Sequence, residues 1–431
     1  FFNIPSDTRP LNNISRLIPH LLMTSAIAYS MYISKYENTK NELELAILRL
    51  AALLHDIGKP KAWKNTTIRN IVGHEKLSSE IVKGMLSPIL DKEIVDVIVE
   101  VISNHHDPDK LKDKCSIHGT TIRLRELGII LRKADVASSA IDRLAERYSH
   151  YVANIMEEDE DKVKGMLTKS GHEVWKYWLD RTEKIKYISE EVAKKLTWET
   201  PWILAPLRKP EKISGVNVLL VDVRGIKSFI SREDLRTMIG ASFAIDLFTI
   251  FTLPYAIIEM LKVPPESVIY SGGGIIMALI PSSVDVKENE KELIKEALTL
   301  ISKNIRPKES LNAVMATYPL TSDWSYTIRN LMVEIQTKKL KVYVGKAIRI
   351  GIEVLCELCH KRLASETLDD MYICKECKDL RELGENLFFL RKLEQYLGKD
   401  KAEEYWKDKI ERGEKLMEWL SGGEGERYAN I

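Results

Sequence analysis

Residues 48–60 read LRLAALLHDIGKP, a stretch in which an apolar helical pattern ends in a histidine and an aspartate. The apolar residues before the pair recur at helical spacing, and the same helix face next reaches His55. Gly58 and Pro60 follow shortly afterwards, and both residue types are typical stop signals for a helix. The stretch therefore predicts a helix that carries His55 and Asp56 toward the protein interior and ends beside them.

Five histidines and two aspartates that stand out as potential ligands fall within the first 135 residues of a chain with only nine histidines. In IVDVIVEVISNHHD, apolar residues at helical spacing lead to His105 on an inward face, and apolar stripes also adjoin His20 and Asp135. Four or five helical segments are therefore predicted to bring imidazoles and carboxylates to one interior point. The predicted cluster consists of His20, His55, Asp56, His74, His105, His106 and Asp135.

This cluster has the composition of a metal centre. Burying carboxylates and imidazoles removes hydration worth several kcal/mol per group, and coordination to a metal is the usual compensation. Mixed imidazole and carboxylate ligands suit divalent first-row metals such as Mn, Fe, Co, Ni or Zn. The alternative is a set of ordinary helix caps and surface residues, but the complete set around His55 and Asp56 favours a metal.

The motif HDIGK, with a histidine upstream and an aspartate far downstream, resembles the HD superfamily of metal-dependent phosphohydrolases. In that family the first histidine, the HD pair and the last aspartate bind one metal. The phosphodiesterase branches add histidines for a second metal, which the HD aspartate bridges. The resemblance implies a first metal on His20, His55, Asp56 and Asp135, and a second metal on His74, His105 and His106. We therefore expect two divalent transition metals, Mn, Ni, Co or Fe, in this site.

Two such metals activate water at neutral pH and hold both the attacking and the leaving oxygen of a phosphodiester. Asp56 is the expected bridge between them and, with Lys59, the expected catalytic residue. Lys59 lies one turn after the pair, where it would help to hold a phosphate. A solvated lysine that interacts with the helix dipole is the alternative.

Length and composition predict a multidomain protein. The chain has 431 residues, of which 45% are hydrophobic, and the usual size prior gives about three domains. No run of 18 or more apolar residues and no signal peptide is visible, so we expect a cytoplasmic protein that does not bind a membrane.

Basic and acidic residues nearly balance, 64 against 63, so any contact with nucleic acid has to come from local patches. Two runs of basic residues are candidates, although such runs are usually solvated faces. They comprise Arg123, Arg125, Arg132 and Lys133 near the HD motif, and Lys338, Lys339, Lys341, Lys346 and Arg349 further along the chain.

The sequence pattern changes near residue 200, where PWILAPLRKPEKISG contains three prolines. We interpret 201–214 as a linker that follows a helical domain formed by 1–200. After it, VNVLLVDV predicts a strand, a long apolar helix pattern follows, and ESVIYSGGGIIMALIP predicts strand, glycine turn and strand. This order is typical of the ferredoxin-like palm of nucleotide cyclases and polymerases, which we assign to 215–345.

Catalytic palms hold two metals with an aspartate on the first strand and acidic residues just after the hairpin glycines. Here Asp222 stands on the strand, but Gly272 and Gly273 are followed by Gly274 and Ile275, with no carboxylate. Because one aspartate cannot hold two cations, we predict that this palm is not a cyclase or polymerase by itself. A nucleotide stays a candidate ligand of Asp222 and the three glycines.

The stretch CELCHKRLASETLDDMYICKEC predicts a structural zinc site within a ribbon formed by 346–380. Two Cys-x-x-Cys knuckles separated by a hairpin-length spacer supply four thiolates and leave no position for water. A redox role is the lesser alternative. The ligands are Cys356, Cys359, Cys374 and Cys377, which leaves Cys115 as a bystander. Residues 381–431 are predicted to form a helical C-terminal segment.

The order of HD domain, palm and zinc ribbon resembles the large subunit of type III CRISPR effector complexes. Several stretches are similar to that family: PSDTRPLNNISRLIPHLLMTSAIA before and around the first histidine, ADVASSAIDR at the last aspartate, and VDVRGIKSFI, LRTMIGASFAIDL and YSGGGIIMAL in the palm. The predicted fold class is thus α+β and multidomain, with an all-α HD domain, a ferredoxin-like α/β palm with a zinc ribbon, and C-terminal helices.

The resemblance implies metal-dependent cleavage of single-stranded DNA in antiviral defence, with other CRISPR effector subunits and a guide RNA complex as partners. Synthesis of cyclic oligoadenylate in that family depends on a second palm that bears Gly-Gly-Asp-Asp, and this motif does not occur in the chain, so a second palm-bearing chain is a further expected partner. Two alternatives stay open. One is a stand-alone phosphodiesterase for cyclic nucleotides or oligonucleotides, and the other is a scaffold without catalysis.

Overall fold

The computed structural model describes residues 17–64, 73–142, 153, 157–168, 210–302, 311–341 and 355–397. Several features predicted from the sequence lie outside the described residues. They are the linker up to residue 209, the part of the predicted helical domain after residue 168, the basic residues Lys346 and Arg349, and the C-terminal segment after residue 397.

The first part of the chain is a bundle of helices around a buried apolar core. Helices α1, α2, α5 and α6 pack against one another, and α4 packs on α5. Side chains cap two of the helices, because Asn41 Oδ1 accepts from the backbone of α2 and Asp91 Oδ1 accepts from that of α5. The helices are α1 (Leu17–Tyr36), α2 (Glu42–Leu54), α3 (Lys59–Lys64), α4 (His74–Leu86), α5 (Lys92–Ser103), α6 (Leu124–Asp142) and α7 (Glu160–Thr168).

A small hairpin interrupts this helical region, which the sequence pattern did not predict. Strands β1 (Cys115–Ile117) and β2 (Thr120–Ile122) pair antiparallel. Their two-residue turn is formed by His118 and Gly119, with φ of 47° and 78°. Positive φ at both turn residues matches the twist of short hairpins, and the alternating apolar residues were too few to be read as strands.

The second part of the chain is a four-stranded antiparallel sheet in the order β4-β5-β3-β6. In chain order this is strand, helices, hairpin, helix and strand, which confirms the predicted ferredoxin-like palm. The near-continuous apolar run of β3 reflects its central position, since it pairs with β5 on one side and β6 on the other. The strands are β3 (Lys212–Arg224), β4 (Val268–Gly272), β5 (Ile275–Pro281) and β6 (Asn312–Thr321).

The long helix predicted after β3 is divided into pieces. A break follows α8, where the carboxylate of Asp234 accepts hydrogen bonds from the backbone and side chain of Thr237 and starts α9. A π-helical segment, Leu247–Thr252, then joins α9 to α10. The helices of this part are α8 (Ile226–Ile230), α9 (Leu235–Asp246), α10 (Leu253–Leu261), α11 (Val286–Ser302) and α12 (Trp324–Lys341).

The glycine turn between β4 and β5 is held against the end of β3. The backbone N–H of Val223 donates to the carbonyl of Gly274 over 2.8 Å. Gly273 and Gly274 have φ of 58° and 85°, and a Cβ on Gly274 would lie 2.2 Å from Cδ1 of Ile226. The turn therefore needs glycine both for its backbone conformation and for its close approach to α8.

The four cysteines lie around a hairpin of β7 (Glu366–Leu368) and β8 (Met371–Ile373), which leads into α13 (Lys375–Leu397). This element is docked on the palm. Arg232 and Glu376, each 2% exposed, form a salt bridge across the contact, and α13 packs on α9. Gly240 and Gly384 stand at that helix crossing, where a Cβ on either would lie 1.8 Å from a backbone oxygen of the other helix.

The helical region and the palm share one continuous hydrophobic core. Helix α1 packs against β3 and β5, and Gly215, with φ of 84°, lets β3 pass close to Met31. The guanidinium of Arg49 donates to both carboxylate oxygens of Glu266 over 3.0 Å, and Ser25 donates to the same carboxylate over 2.8 Å. The predicted separate domains are therefore tightly joined through α1 and α2.

Two helical stretches, Leu17–Tyr36 and Leu235–Leu261, are long and apolar enough to cross a membrane. The sequence analysis did not flag them, because polar residues interrupt each apolar run. Within the protein, 61% and 50% of their apolar windows are buried against other elements. Core helices commonly pass the same test of length and composition, so these two helices are weak evidence for a membrane span.

Candidate metal centre

All seven residues of the predicted cluster meet at one place in the helical region. Five separate parts of the chain supply them: α1, the end of α2, the start of α4, the turn after α5, and the middle of α6. Their metal-ligating atoms fall into two groups, in each of which the atoms lie within 4.8 Å of one another. The groups are His20, His55, Asp56 and Asp135, and His74, His105 and His106.

The first group is almost fully buried. Nε2 of His20 lies 3.2 Å from Oδ1 of Asp135 and 3.5 Å from Oδ2 of Asp56. Nε2 of His55 lies 3.3 Å from the same oxygen of Asp56 and 3.6 Å from Asp135. Two imidazole nitrogens and two carboxylate oxygens thus face a common centre, at separations that ligands of one first-row ion would have.

The second group consists of three imidazoles and is more open to solvent. The ring centroids of His105 and His106 are 3.9 Å apart, and those of His74 and His106 are 5.2 Å apart. Nε2 of His74 lies 3.3 Å from Nε2 of His106. His105 is buried, His74 is 12% exposed and His106 is exposed, so solvent reaches the site from this side.

The carboxylate of Asp56 stands between the two groups. Its Oδ2 faces the imidazoles of His20 and His55, whereas its Oδ1 lies 2.8 Å from Nε2 of His74. Asp56 is 1% exposed, and its Oδ1 makes no hydrogen bond of good geometry within the described part of the chain. A carboxylate with one oxygen toward each group has the geometry that a bridging ligand needs.

Gly58 brings the second group within reach of Asp56. We predicted this glycine only as a helix stop, but it also lies against the start of α4. A Cβ at Gly58 would lie 2.5 Å from the backbone nitrogen of Ser78 and 2.7 Å from the carbonyl oxygen of His74. The backbone N–H of Gly58 also donates to Oγ of Ser78. Close packing at glycine therefore positions α4 and its first residue, His74.

Three of the imidazoles are oriented through Nδ1. Nδ1 of His55 lies 2.9 Å from the carbonyl of Ala52, and Nδ1 of His105 lies 2.7 Å from that of Ile102. Because a carbonyl only accepts, both rings carry their hydrogen on Nδ1 and present Nε2 to the centre. Nδ1 of His20 lies 3.0 Å from Oγ of Ser138, a residue that the sequence analysis did not single out.

The Nε2 atoms of His20, His55 and His105 are buried and make no hydrogen bond of good geometry within the part of the chain that the structure describes. Unsatisfied buried nitrogens are costly, and they are the atoms that would bind a metal. The donor set of imidazoles and carboxylates also suits a divalent first-row ion. The residues present therefore fit a metal centre.

A comparison with protein families finds that residues 17–146 match the model described as the HD domain. The match begins before His20, ends after Asp135, and so spans the whole cluster. Residues 17–146 are therefore similar to the HD domain family, and we call this part of the chain the HD domain. HD domains bind divalent metal, in agreement with the geometry of the site.

Searches of other proteins found distant structural similarity only. No curated protein matches the sequence. A chain of a Csm1-Csm4 subcomplex in the type III-A CRISPR-Csm interference complex is similar with 14% identity and a TM-score of 0.37, over 80% of this chain and 52% of that chain. Csm1 in T. onnurineus is similar with 12% identity and a TM-score of 0.37, over 70% and 50%. The chain thus spans about half the length of the chains it matches.

Lys59 of the HD domain is buried and paired with Asp56. It is 9% exposed as a residue, and Nζ contacts Oδ2 of Asp56, the oxygen that faces His20 and His55. It begins the short helix α3, so the alternative of a solvated lysine at the end of a helix is wrong. Its ammonium stands at the edge of the centre, on the first-group side of Asp56.

Charges within the HD domain shift the pKa values of its ligands in opposite directions. Burial acts to raise the pKa of Asp56, but the charges of His55 and Lys59 outweigh burial and hold that pKa well below its usual value. Burial acts to lower the pKa of His55, but Asp56 and Asp135 raise it to about 10. Mutual attraction therefore stabilises the ionised forms of the first group.

His105 behaves differently because the attraction of Asp56, which raises its pKa, is weaker than the effects that lower it. Burial, reinforced by the positive charge of His55, lowers the pKa of His105 to about 3. The neighbouring His106 also has a lowered pKa, first through burial and then through His74. The lowered pKa values favour neutral imidazoles at His105 and His106, which is the form that binds metal.

The four cysteines form a second compact cluster in which their sulfurs lie within 4.8 Å of one another. Sγ of Cys359 is 4.0 Å from Sγ of Cys374, which excludes a disulfide and is near the separation that zinc imposes on two thiolates. Hydrogen bonding from Cys377 lowers the pKa of the Cys374 thiol to about 5. The four buried thiols are consistent with a zinc site.

The palm residues that we considered for nucleotide binding lie near one another but are engaged with protein groups. Asp222 pairs with Ile275 across the sheet, next to the turn of Gly272, Gly273 and Gly274. Its carboxylate lies 2.7 Å from Nζ of Lys339. The single strand carboxylate thus already has a cationic partner.

The basic residues near the HD motif do not form one free patch. Arg123 forms a salt bridge with the buried carboxylate of Glu44, and the ring of Tyr36 lies 3.6 Å from its guanidinium carbon. Arg125 pairs with Asp113. Only Arg132 and Lys133 of that run are exposed without a pair shown among the described residues. In the second run, Lys338 pairs with Glu290, and Lys339 with Asp222 as above.

Proposed function

We propose that the HD domain hydrolyses phosphodiesters with two divalent transition metals. The observation that carries this proposal is the position of Asp56, whose two oxygens face two separate groups of metal-ligating atoms. The first ion would be held by His20, His55, Asp56 and Asp135, and the second by His74, His105, His106 and Asp56. Two such ions supply an activated water and neutralise the charge of the reacting phosphate.

The protein's own groups then divide the work. His55 and His105 are fixed by backbone carbonyls, so that the two groups keep their geometry without reorganisation. Substrate enters from the side of His106, since His106 is exposed whereas His20, His55 and Asp56 of the first group are buried. Lys59 contacts Asp56 at the edge of the centre, where its ammonium would help to hold a phosphate of the substrate.

We further propose that the chain is the large-subunit component of a type III CRISPR effector and that its substrate is single-stranded DNA. This proposal rests on the resemblance of the HD, palm and ribbon stretches to that family and on their order along the chain. The other effector subunits, a guide RNA complex and a chain with a second palm are the proposed partners. We propose domain boundaries at about residues 200, 215, 345 and 380 on the same basis. The cytoplasmic location is also proposed on this basis.

The palm is proposed to be inactive as a cyclase on its own. Its only strand carboxylate, Asp222, is paired with Lys339, and the turn after Gly273 continues with glycine and isoleucine rather than acids. Two cations would need at least one further carboxylate among these groups. Bound zinc in the four-cysteine cluster is proposed to be structural, because four sulfurs leave no open position.

The test of this function is cleavage by the full chain, purified with its zinc retained, on 5′-labelled single-stranded DNA with Mn²⁺. Asp56→Asn removes one charge and is expected to lower cleavage by at least 100-fold and to abolish binding of both non-zinc ions. The matched control is Asp96→Asn, which changes a partly exposed aspartate of α5 that pairs with Lys83 of α4. It should leave both quantities unchanged.

Parallel reactions with single-stranded RNA and with a cyclic oligoadenylate identify the substrate class. Preference for the cyclic substrate would replace the nuclease by a stand-alone phosphodiesterase. If the protein bound metal but hydrolysed none of the three substrates, the proposed activity would be wrong. The alternative of a scaffold without catalysis would then remain.

A further inference from the structure

Ser138 contacts His20 of the HD centre, although it is not itself one of the predicted metal ligands. It lies on α6, three residues after Asp135, and is 1% exposed. Its Oγ is 3.0 Å from Nδ1 of His20 and 3.4 Å from the backbone carbonyl oxygen of the same residue. The side chain therefore touches the back of a proposed metal ligand and not the centre itself.

The two contacts together decide which way the hydrogen bonds run. The carbonyl oxygen of His20 only accepts, so the hydroxyl hydrogen of Ser138 points to it, and the lone pairs of Oγ are left for Nδ1. Nδ1 of His20 then carries a hydrogen and donates it to Ser138. In a neutral imidazole the other nitrogen, Nε2, consequently keeps its lone pair, which faces Asp56 and Asp135.

This role distinguishes His20 from the other two oriented imidazoles. His55 and His105 use backbone carbonyls of their own helices for the same purpose. His20 instead depends on a side chain from a helix far away in the sequence. The orientation of His20 is thereby coupled to the packing of α1 against α6, the helix that also carries Asp135.

We propose that Ser138 is a positioning residue for the first metal: its hydroxyl holds His20 in the tautomer and orientation that bind a divalent cation. This inference rests on the proposed two-metal function of the HD domain. Partners of this kind behind a ligating histidine typically change metal affinity about 10–100-fold when they are removed. The effect is confined to the first group, because Ser138 does not contact the histidines of the second.

The experiment measures binding of Mn²⁺ to the zinc-loaded full chain by calorimetry, and binding of Co²⁺ by its visible absorption. Ser138→Ala is expected to weaken one of the two sites about 10–100-fold and to leave the other within about twofold of wild type. Ser138→Thr keeps the hydroxyl and should restore most of the affinity. Ser30→Ala is the matched control, since Ser30 is also a buried helix serine, lies on α1, and its hydroxyl has no hydrogen-bond partner among the described residues.

Three results would overturn the inference. If Ser138→Ala bound Mn²⁺ and Co²⁺ as tightly as Ser30→Ala, the hydroxyl of Ser138 would not act on His20. Loss of both sites together with a lower melting temperature of the metal-free protein would make Ser138 a packing residue only. A wild-type chain that binds neither Mn²⁺ nor Co²⁺ would contradict the proposed function as well. The titration of the wild-type chain therefore distinguishes failure of the proposed function from failure of the proposal for Ser138.

Discussion

At the scale of single residues, the burial of His105 in the HD centre lowers the free energy of unfolding of the metal-free protein in acid. Its imidazole is buried, and its pKa is lowered to about 3, first by burial and then by the charge of His55. In an unfolded chain the same group has a pKa near 6.5. Between pH 6.5 and 3 the imidazole is therefore protonated in the unfolded state and neutral in the folded state. Protonation of the unfolded state thus lowers the free energy of unfolding as the pH falls.

Replacement of this histidine should flatten the pH dependence of the metal-free protein. His105→Gln removes the titrating group, and its curve of unfolding free energy against pH should be shallower than that of wild type between pH 6.5 and 5. The difference in slope is at most about 1.4 kcal/mol per pH unit, the value for one proton. Urea unfolding followed by circular dichroism at three pH values measures it.

Ser30→Ala is the control for this measurement, because it replaces a buried group that does not titrate. It should shift the curve by a constant amount without a change of slope. If His105→Gln and Ser30→Ala gave parallel curves, the depressed pKa assigned to His105 would be wrong.

The residues of the HD centre show what sequence can and cannot predict at this scale. His55 and His105 were predicted to face inward because each continues an apolar stripe along its own helix. The contact of Ser138 with His20 was not predicted, since it joins positions 118 residues apart through helix packing. The burial of Lys59 was missed for a similar reason, because a lysine in a local pattern is read as solvated until its partner is known.

At the scale of secondary-structure elements, the crossing of α9 and α13 depends on two glycines in contact. A Cβ at Gly240 would lie 1.8 Å from the carbonyl oxygen of Leu380, and one at Gly384 would lie 1.8 Å from that of Arg236. Both obstacles are backbone atoms, so a side chain cannot move aside to relieve them. Only separation of the two helices can make room for a methyl group.

Gly240→Ala should therefore destabilise the protein by about 2 kcal/mol, even though alanine has the higher helix propensity. Because α13 follows the four-cysteine cluster directly, separation of the helices should also expose the zinc to a chelator. Urea unfolding measures the first effect, and the rate of zinc transfer to a coloured chelator measures the second. A few-fold faster transfer than in wild type is the expected result.

Gly84→Ala provides the matched control within a helix. Gly84 lies in α4, and a Cβ there would meet nothing within 4 Å. Alanine should stabilise this position by about 0.5–1 kcal/mol and leave zinc transfer unchanged. A Gly240→Ala variant as stable as Gly84→Ala would contradict the close crossing of α9 and α13.

The elements themselves were predicted where the local sequence carried a clear signal. The strands that flank the glycine turn have apolar runs bounded by turn residues, and both were predicted correctly. The break at Asp234 and the π-helical segment 247–252 were not, because the apolar pattern continues through both. At such positions the tertiary packing decides whether the helix continues or is interrupted. A local sequence pattern carries no information about that packing.

At the scale of the whole molecule, the described residues of the HD domain and the palm share one hydrophobic core. The prolines near residue 200 predicted a boundary, and they carry no information about how the two surfaces meet. The structure joins them through a shared core and through Glu266, which lies two residues before β4 and binds both Arg49 and Ser25. Arg49 and Ser25 lie on the same helices as His55 and His20.

This joint should make the two parts unfold together. In wild type, amide hydrogen exchange followed by mass spectrometry is expected to give α1, α2 and β3 the same opening free energy. Glu266→Ala leaves Arg49, whose side chain is 33% exposed, without its carboxylate, and loss of this half-buried ion pair costs about 1–2 kcal/mol. The variant should therefore let α1 and α2 exchange through a separate opening of lower free energy, while β3 keeps most of its protection.

Glu259→Ala is the control for that experiment, because Glu259 is exposed on α10 and its side chain has no ion pair or hydrogen bond shown among the described residues. It should reproduce the wild-type exchange of all three elements. If Glu266→Ala lowered the protection of α1, α2 and β3 equally, the ion pair would stabilise one cooperative unit without linking two. Since His20 and His55 lie on the helices that this joint holds, separate opening should also weaken binding of Mn²⁺ to the first group in the variant.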